Sequence, residues 1–465
     1  MHFFSWRGWE RDWIRSFIAQ STLHLPNKDT EFKKVLTPWM VWGLGVGYVI
    51  SGNYFGWNLG LEKGGTLGLA IATVFVIAMY VTFTFSYAEL ACAIPRAGGA
   101  FDYATRALGD DIGFLAGIAQ NIEFIFAPPA IAFAIGSYMN IFFPTVPVIF
   151  FSVGAYLVFT ALNIYGIRAA AVFELVVTSV AVTGLLIFSA TVLPHATFTN
   201  LSINALPHGI AGIFAAVPFA IWFFLGIEGV ANLAEETQNP KHTMSMGFLS
   251  TLFTLIGVCI LTFIGAAGVG GWEAIVYTTE GTMSDSPLPM AMKHIAGTDG
   301  WLYNLVVVVG LFGLVASFNG LMLAAGRSCF EFGRLKMGSP FLGRLHPRFL
   351  TPANDLLVNM CIGILALFSG RTAEVITISV LGALTLYILS MVSVIALRKK
   401  EPNLERPFRV PSFPYFPVAA LSIAIVAVIA VIVYNFSLCL FYLLILGLSF
   451  GIFKLQRKLT LPKSQ

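Results

Sequence analysis

The chain has 465 residues, of which 57% are hydrophobic and only 11% charged, with a formal net charge of +4. A soluble protein carries about 25% charged residues interleaved with its apolar ones, whereas here apolar runs follow one another almost without pause. An ordinary soluble domain is therefore excluded, and most of the surface faces lipid.

At ~20 residues per crossing of a ~30 Å hydrocarbon core, the roughly 265 apolar residues allow about twelve or thirteen spans and leave only short loops. In chain order, residues 1–37 form a charged amino-terminal segment without the apolar core of a cleavable signal. Trp6, Trp9, Trp13 and Phe17 share one side of a helical wheel, opposite Arg7, Arg11 and Arg15. This pattern predicts a short helix lying in the membrane interface, with a disordered tail as the alternative. Apolar runs bounded by Gly, Pro or charge then predict helices near 38–60, 66–94, 112–143, 147–166, 169–193, 212–236, 246–269, 301–330, 354–369, 373–397, 415–434 and 437–455. These twelve are numbered spans 1 to 12, and residues 456–465 form a tail. A transmembrane β-barrel shows ~10-residue segments of alternating hydrophobicity, which these runs do not. The predicted fold class is an all-α integral membrane protein.

An even number of spans puts both termini on one side of the membrane. With the amino terminus cytoplasmic, only Lys63, Lys293 and Arg371 of the 27 basic residues face outward, the bias expected of a correct topology. The same asymmetry explains the net charge without nucleic acid. Cys92, Cys259, Cys329, Cys361 and Cys439 are scattered singly, so neither a disulfide nor a metal site is expected. No P-loop, GxSxG, HExxH or carboxylate pair is present, and nothing points to an enzyme.

A spanning helix satisfies its own backbone, so an interruption at membrane depth is tolerated only where it is buried in protein or lines a cavity. Span 1 contains Ser51-Gly52-Asn53-Tyr54-Phe55-Gly56 well inside its apolar run, and span 6 contains Phe223-Phe224-Leu225-Gly226-Ile227-Glu228-Gly229. Two breaks five helices apart are what inverted five-helix repeats produce, here about 38–193 and 212–397, with spans 11 and 12 (about 415–455) appended. Paired discontinuous helices point to a midplane binding site.

The acidic residues sharpen that placement, because a charge at the bilayer centre costs ~2.5–3.5 kcal/mol even on insertion scales. Glu89, Glu174, Glu235 and Glu236 lie near cytoplasmic ends, where pairing with Arg96, Arg168 or Lys241 is expected. Glu123 is about half-way along span 3 with no basic residue in a neighbouring turn. Its partner is a polar group on another helix, a bound proton or a cationic substrate. Pro128-Pro129 remove two backbone donors beside it and predict a bend. Asn121 is two residues away, about 200° round the helix, so Asn121 and Glu123 do not share a pocket on a regular helix. Glu228 lies inside the span 6 break near Trp222 and Phe224, a setting that suits an ammonium group through cation–π attraction and charge pairing. Ser317 and Asn319, with Gly320, form the polar cluster of span 8.

These residues resemble the amino acid–polyamine–organocation permease superfamily over essentially the whole chain. The superfamily features are the interrupted span 1; Ala88-Glu89-Leu90 and Ile94-Pro95-Arg96-Ala97-Gly98-Gly99 after span 2; Gly226-Ile227-Glu228 followed by Glu235-Glu236 and Asn239-Pro240-Lys241; and Arg406-Pro407-Phe408-Arg409 before span 11. Residues 49–57, 122–132, 217–229 and 311–320 are similar to the bacterial ethanolamine permeases. The resemblance implies a twelve-helix inverted-repeat fold, alternating access and a site between spans 1, 3, 6 and 8. It implies that Trp222 stacks on a substrate cation and that Glu228 takes part in gating. The ethanolamine branch often has Glu at the position of Asn53, a departure that removes one counter-ion. Some proton-coupled superfamily members carry a Lys in span 5, where this chain has Thr178-Ser179.

The expected substrate-binding residues are Ser51, Gly52, Asn53, Tyr54, Glu123, Trp222, Phe224, Gly226, Glu228, Ser317 and Asn319. A fixed negative charge at Glu123, with bulky Asn53, Tyr54 and Phe55 crowding the span 1 break, suits a small cation with a hydroxyl better than a zwitterion. The expected function is uptake of ethanolamine or a similar cation at a bacterial inner membrane. An amino acid or polyamine permease is the alternative. A third reading is a non-transporting sensor or complex subunit; the short termini and the cysteine-free loop between spans 3 and 4 predict neither a signalling domain nor an obligate covalent partner. No cofactor is expected beyond a coupling proton or sodium ion.

Overall fold

A computed structural model describes residues 34–460 except 166, 279, 299, 336 and 340. The interfacial helix predicted within residues 1–37 and the end of the tail lie outside the described residues. Among the described residues the structure is helical, with only two isolated β-bridges, Leu36 to Thr237 and Tyr277 to Met283.

Among the described residues, ten helical segments are long and apolar enough to cross a membrane. They are Asn58–Ala93, Asp110–Phe142, Val148–Tyr165, Ile167–Val192, Pro240–Gly270, Trp301–Arg334, Thr372–Lys400, Tyr415–Tyr434 and Phe436–Thr460, with the interrupted segment over residues 209–236. Two apolar helices are shorter, Pro38–Tyr54 and Ala353–Leu367, and occupy the places of spans 1 and 9. The apolar runs of the sequence thus correspond one for one with helices, because burial in lipid or protein forces every backbone donor and acceptor into the i→i−4 ladder. Span 1 begins where Pro38 follows the N-cap Thr37, whose hydroxyl accepts from the Met40 backbone at 3.4 Å. Side chains such as Phe150, Leu365, Val433 and Leu444 are exposed on the outside, as a lipid-facing surface requires.

Two boundaries differ from the sequence expectation. Span 1 ends at Tyr54, not near residue 60, and its break falls at Phe55, Gly56 and Trp57. Ser51 to Tyr54 are still helical, so the small polar run marks the last turn before the break. A new helix starts at Asn58, whose side chain accepts from the Gly56 N–H at 3.0 Å and donates to the Ser284 carbonyl at 2.7 Å. It turns at Gly65, with φ +65°, before running on as span 2. A Cβ there would strike the Ala205 carbonyl and the Pro207 ring, so only glycine allows the bend. Span 3 runs as one helix, Asp110–Phe142, with Pro128-Pro129 inside it, close to the predicted 112–143.

Span 1 packs on spans 5, 7 and 8 and on the second half of span 6, while span 3 packs on spans 8 and 10. At the end of the bundle richest in basic residues, the carboxylates are paired as the sequence predicts in kind, but with other partners. Glu89 pairs with Arg398 at 2.6 Å and Arg406 at 3.2 Å. Glu235 meets Arg334 at 3.0 Å, and Glu236 meets Arg327 at 2.7 Å. Lys241 reaches Glu405 at 2.8 Å. Helix packing, not nearness in sequence, selects these pairs. Glu174 has no ion pair among the described residues, and its neighbour is Asn319.

The short helix Ala100–Leu108 between spans 2 and 3 carries Asp102, whose Oδ2 accepts from the Gly98 N–H at 3.1 Å. Burial pushes the Asp102 carboxyl up from 3.8 to about 6, against the opposing pull of Arg96. A folded-state value above the unfolded one favours folding most below pH 4, and this contribution is lost as pH rises through about 6. Asp102→Asn keeps the acceptor for Gly98 and removes the titration. The variant is expected to gain on the parent by up to roughly 3 kcal/mol between pH 4 and 7, at ~1.4 kcal/mol per pH unit. Denaturation midpoints of both proteins across that range check this, and a difference independent of pH would refute it.

Candidate substrate site at the helix breaks

The two breaks lie against each other. A Cβ on Gly52 would strike the Trp222 carbonyl oxygen and approach the Phe223 Cα to 3.1 Å, so span 1 and span 6 are in backbone contact there. Span 6 runs helically from Val217 to Trp222, turns through Gly226 at φ +99°, and resumes as a 3₁₀ helix over Ile227–Glu236. Glycine supplies the left-handed turn without strain. Trp222 braces this junction: its indole N–H donates to the freed carbonyl of Phe55 at 3.1 Å, and its ring stands edge-on to Phe55 at 5.6 Å. Its polar edge is spent on span 1.

Glu123 and Glu228 meet beside the break. The Glu123 carboxyl lies against that of Glu228 and the Gly226 backbone N–H. Both side chains are at most 1% exposed. Glu228 Oε2 accepts from the Tyr387 hydroxyl at 2.8 Å, which in turn lies 2.9 Å from the Tyr80 hydroxyl. Neither oxygen of Glu123, nor Glu228 Oε1, has a well-formed hydrogen bond. If both are ionised, the two carboxylates have no donor to share between them, and no Lys or Arg is paired with either among the described residues. Phe224 packs against Tyr80 at 5.1 Å between ring centres, closing one side of the cluster. Asn121 points elsewhere, with its Oδ1 3.2 Å from Cys329 Sγ, so the distortion needed to bring it beside Glu123 does not occur.

The remaining predicted residues divide. Asn53 is fully buried with both side-chain amide atoms unpartnered. Ser317 sits between the Ser51 N–H and the Gly47 carbonyl, accepting from the first at 2.8 Å and donating to the second at 2.6 Å. Its hydroxyl therefore stands in for one rung of the span 1 ladder, a turn before the break. Tyr54 is a strut: its hydroxyl donates to the Ala181 carbonyl at 2.7 Å, and its own carbonyl accepts from Tyr138 at 3.1 Å. Asn319 faces spans 4 and 5, away from the carboxylates, bonding Glu174 and Asn163 at 2.9 Å each.

Tyr80, Tyr387 and the surroundings of Glu174 are absent from the sequence expectation. A tyrosine within an apolar run is indistinguishable from packing until its hydroxyl is placed.

The family model described as amino acid permease matches residues 36–450. An uncharacterized transporter of Rhizobium meliloti (strain 1021) is 27% identical over 384 residues, covering 79% of this chain and 80% of that protein. The methylthioribose transporter of Bacillus subtilis (strain 168) is 25% identical over 420 residues, 85% of this chain and 88% of that protein. The low-affinity putrescine importer PlaP of Escherichia coli (strain K12) is 24% identical over 392 residues, 80% of this chain and 83% of that protein. With a family match running from the entry of span 1 into span 12, the chain belongs to the amino acid permease family of membrane transport proteins.

Proposed function

We propose that this permease takes up ethanolamine or a similar small organic cation across a bacterial inner membrane, by alternating access around the span 1 and span 6 breaks. The observation that carries this reading is the facing pair Glu123 and Glu228, buried at the breaks with three oxygens that lack a well-formed hydrogen bond. A buried carboxylate is tolerated when it is paired and hydrogen-bonded, and an ammonium group between the two supplies both charge and donors. The orientation with both termini cytoplasmic rests on the outward-facing minority of Lys63, Lys293 and Arg371.

A dicationic polyamine is the second reading. Two carboxylates suit two ammonium groups, and a putrescine importer is among the relatives. An amino acid substrate fits the family equally well. Uptake of labelled ethanolamine into proteoliposomes, with alanine, lysine and putrescine as competitors, separates the three. Saturable ethanolamine uptake resisting a hundredfold excess of each competitor is the expected result; inhibition by putrescine or by an amino acid at lower concentration than ethanolamine itself would replace the first reading.

A further inference from the structure

The loop between spans 8 and 9 lies at the end of the bundle richest in basic residues. Residues 335–352 carry Lys336, Arg344 and Arg348 but no Asp or Glu. Over residues 346–351 the chain closes on itself: the His346 N–H donates to the Thr351 carbonyl at 2.8 Å, and the Leu350 N–H donates to the His346 carbonyl at 2.9 Å. His346 Nδ1 accepts from the backbone N–H groups of Arg348 and Phe349 at 3.3 Å each. Thr351 fastens this turn to span 4 by donating its hydroxyl to the Ile164 carbonyl at 2.8 Å. The Phe349 ring adds a contact at 4.9 Å between ring centres with Tyr165, the last residue of span 4.

A turn pinned in this way presents residues ill suited to water alone. Leu350 is held at φ +54°, a left-handed conformation that leucine rarely adopts, and is still 49% exposed. Phe341 and Tyr165 are exposed beside it in the chain's loop and at the end of span 4. At the same end of the bundle, Arg106, Lys241, Arg334 and Arg398 are each spent on a carboxylate. Arg344 and Arg348 are exposed and have no ion pair among the described residues; Arg348 only leans over the Phe349 ring at 5.5 Å. The surroundings indicate what covers them. Spans 4 and 9 pack together, and both carry exposed apolar side chains, Leu157 and Val158 on one, Leu357 and Leu365 on the other. The turn sits where span 4 ends and span 9 begins, so its apolar side chains continue the lipid-facing side of both helices at the level of the headgroups.

We propose that the turn over residues 346–351, together with Arg344, is a docking site for the phosphate headgroup of an anionic phospholipid. The guanidinium groups of Arg344 and Arg348 supply charge-assisted hydrogen bonds to phosphate oxygens, while Leu350, Phe341 and Tyr165 rest against the acyl chains below. Basic side chains at the end of a span attract anionic headgroups; a zwitterionic headgroup brings an ammonium that offsets the attraction. The docked lipid also braces span 8. Gly333, in the last turn of that span, packs so closely on Gly343 of the loop that a Cβ on either would strike the other's backbone, and the adjacent Arg334 pairs with Glu235 of span 6 at 3.0 Å. This inference does not rest on the substrate reading.

The test is native mass spectrometry of the purified full chain in detergent, titrated with phosphatidylglycerol or with phosphatidylcholine of the same acyl chains. The parent is expected to bind phosphatidylglycerol the more tightly. In Arg344→Gln/Arg348→Gln the affinity for the tightest-bound phosphatidylglycerol is expected to fall about 30-fold, from the surface attraction of two basic side chains. Lys399→Gln/Arg409→Gln removes the same charge from two exposed positions outside the loop and is expected to bind as the parent does. An equal loss in that control, or parent-like binding in the arginine double variant, would overturn the proposal. Leu350→Asn keeps the left-handed backbone with less strain and removes the apolar contact. Its melting midpoint without lipid is expected to hold or rise while its phosphatidylglycerol affinity falls; affinity equal to the parent's would overturn the part assigned to Leu350. Excess inorganic phosphate is expected to leave the lipid in place, and displacement by phosphate would assign the site to a free anion instead.

Discussion

Glu123→Gln is expected to raise the ethanolamine concentration that half-saturates uptake by roughly 30-fold to several thousandfold. The estimate follows from the ~2–5 kcal/mol lost when one partner of a buried, hydrogen-bonded charge pair is neutralised. Gln preserves the volume of the side chain and its reach toward Gly226, so the change isolates charge from packing. Glu123 should be the more sensitive of the two carboxylates. Glu228 keeps a hydrogen bond from Tyr387 whatever lies between them, whereas Glu123 has no well-formed hydrogen bond of its own. Concentration series in proteoliposomes, with protein folding checked by size exclusion, read the effect directly. Half-saturation unchanged in Glu123→Gln would remove the counter-ion role.

Arg327→Ala should be the most damaging single change to the stability of the basic end of the bundle, by about 3–5 kcal/mol. Arg327 and Glu236 are each 1% exposed and 2.7 Å apart. The pair joins span 8 to the last turn of span 6, where the Glu236 carbonyl also accepts from the backbone of Val35 and Leu36 at 2.9 Å each. Removing the guanidinium strands a buried carboxylate and also withdraws the donor from Tyr48. The penalty arises from the stranded charge, so Arg327→Met with Glu236→Leu should recover most of it. Denaturation midpoints of the two singles and the double, read as a cycle, check this. A double variant no better than Arg327→Ala would show that the pair is not what holds this end together.

The helices and the breaks were legible in the sequence for one reason. Transfer into lipid is a local energy, summed residue by residue along ~20-residue runs, and a backbone interruption in such a run is conspicuous. Glu123 and Glu228 stood out in the same way, as charges with no local partner. Boundaries were less legible where glycine chemistry overrode hydropathy. The apolar character continues past Tyr54, yet the helix stops there, because the Gly56 turn and the Trp222 indole hold the chain open.

Partner choice was not legible at all. Glu89 finds Arg398 and Arg406, more than 300 residues away, and Glu236 finds Arg327 rather than the nearby Lys241. Ser317 and Asn319, two residues apart in one polar cluster, take separate roles because they point to different neighbours. Ser317 enters the span 1 ladder, while Asn319 turns to Glu174. By itself, then, the sequence determined an all-helical membrane protein with paired helix breaks and mid-membrane carboxylates. Only the tertiary structure decided that Glu123 and Glu228 face each other, that Tyr387 supports one of them, and that Glu174 meets Asn319. Those outcomes depend on which helix faces pack together, and hydropathy along the chain carries no information about that.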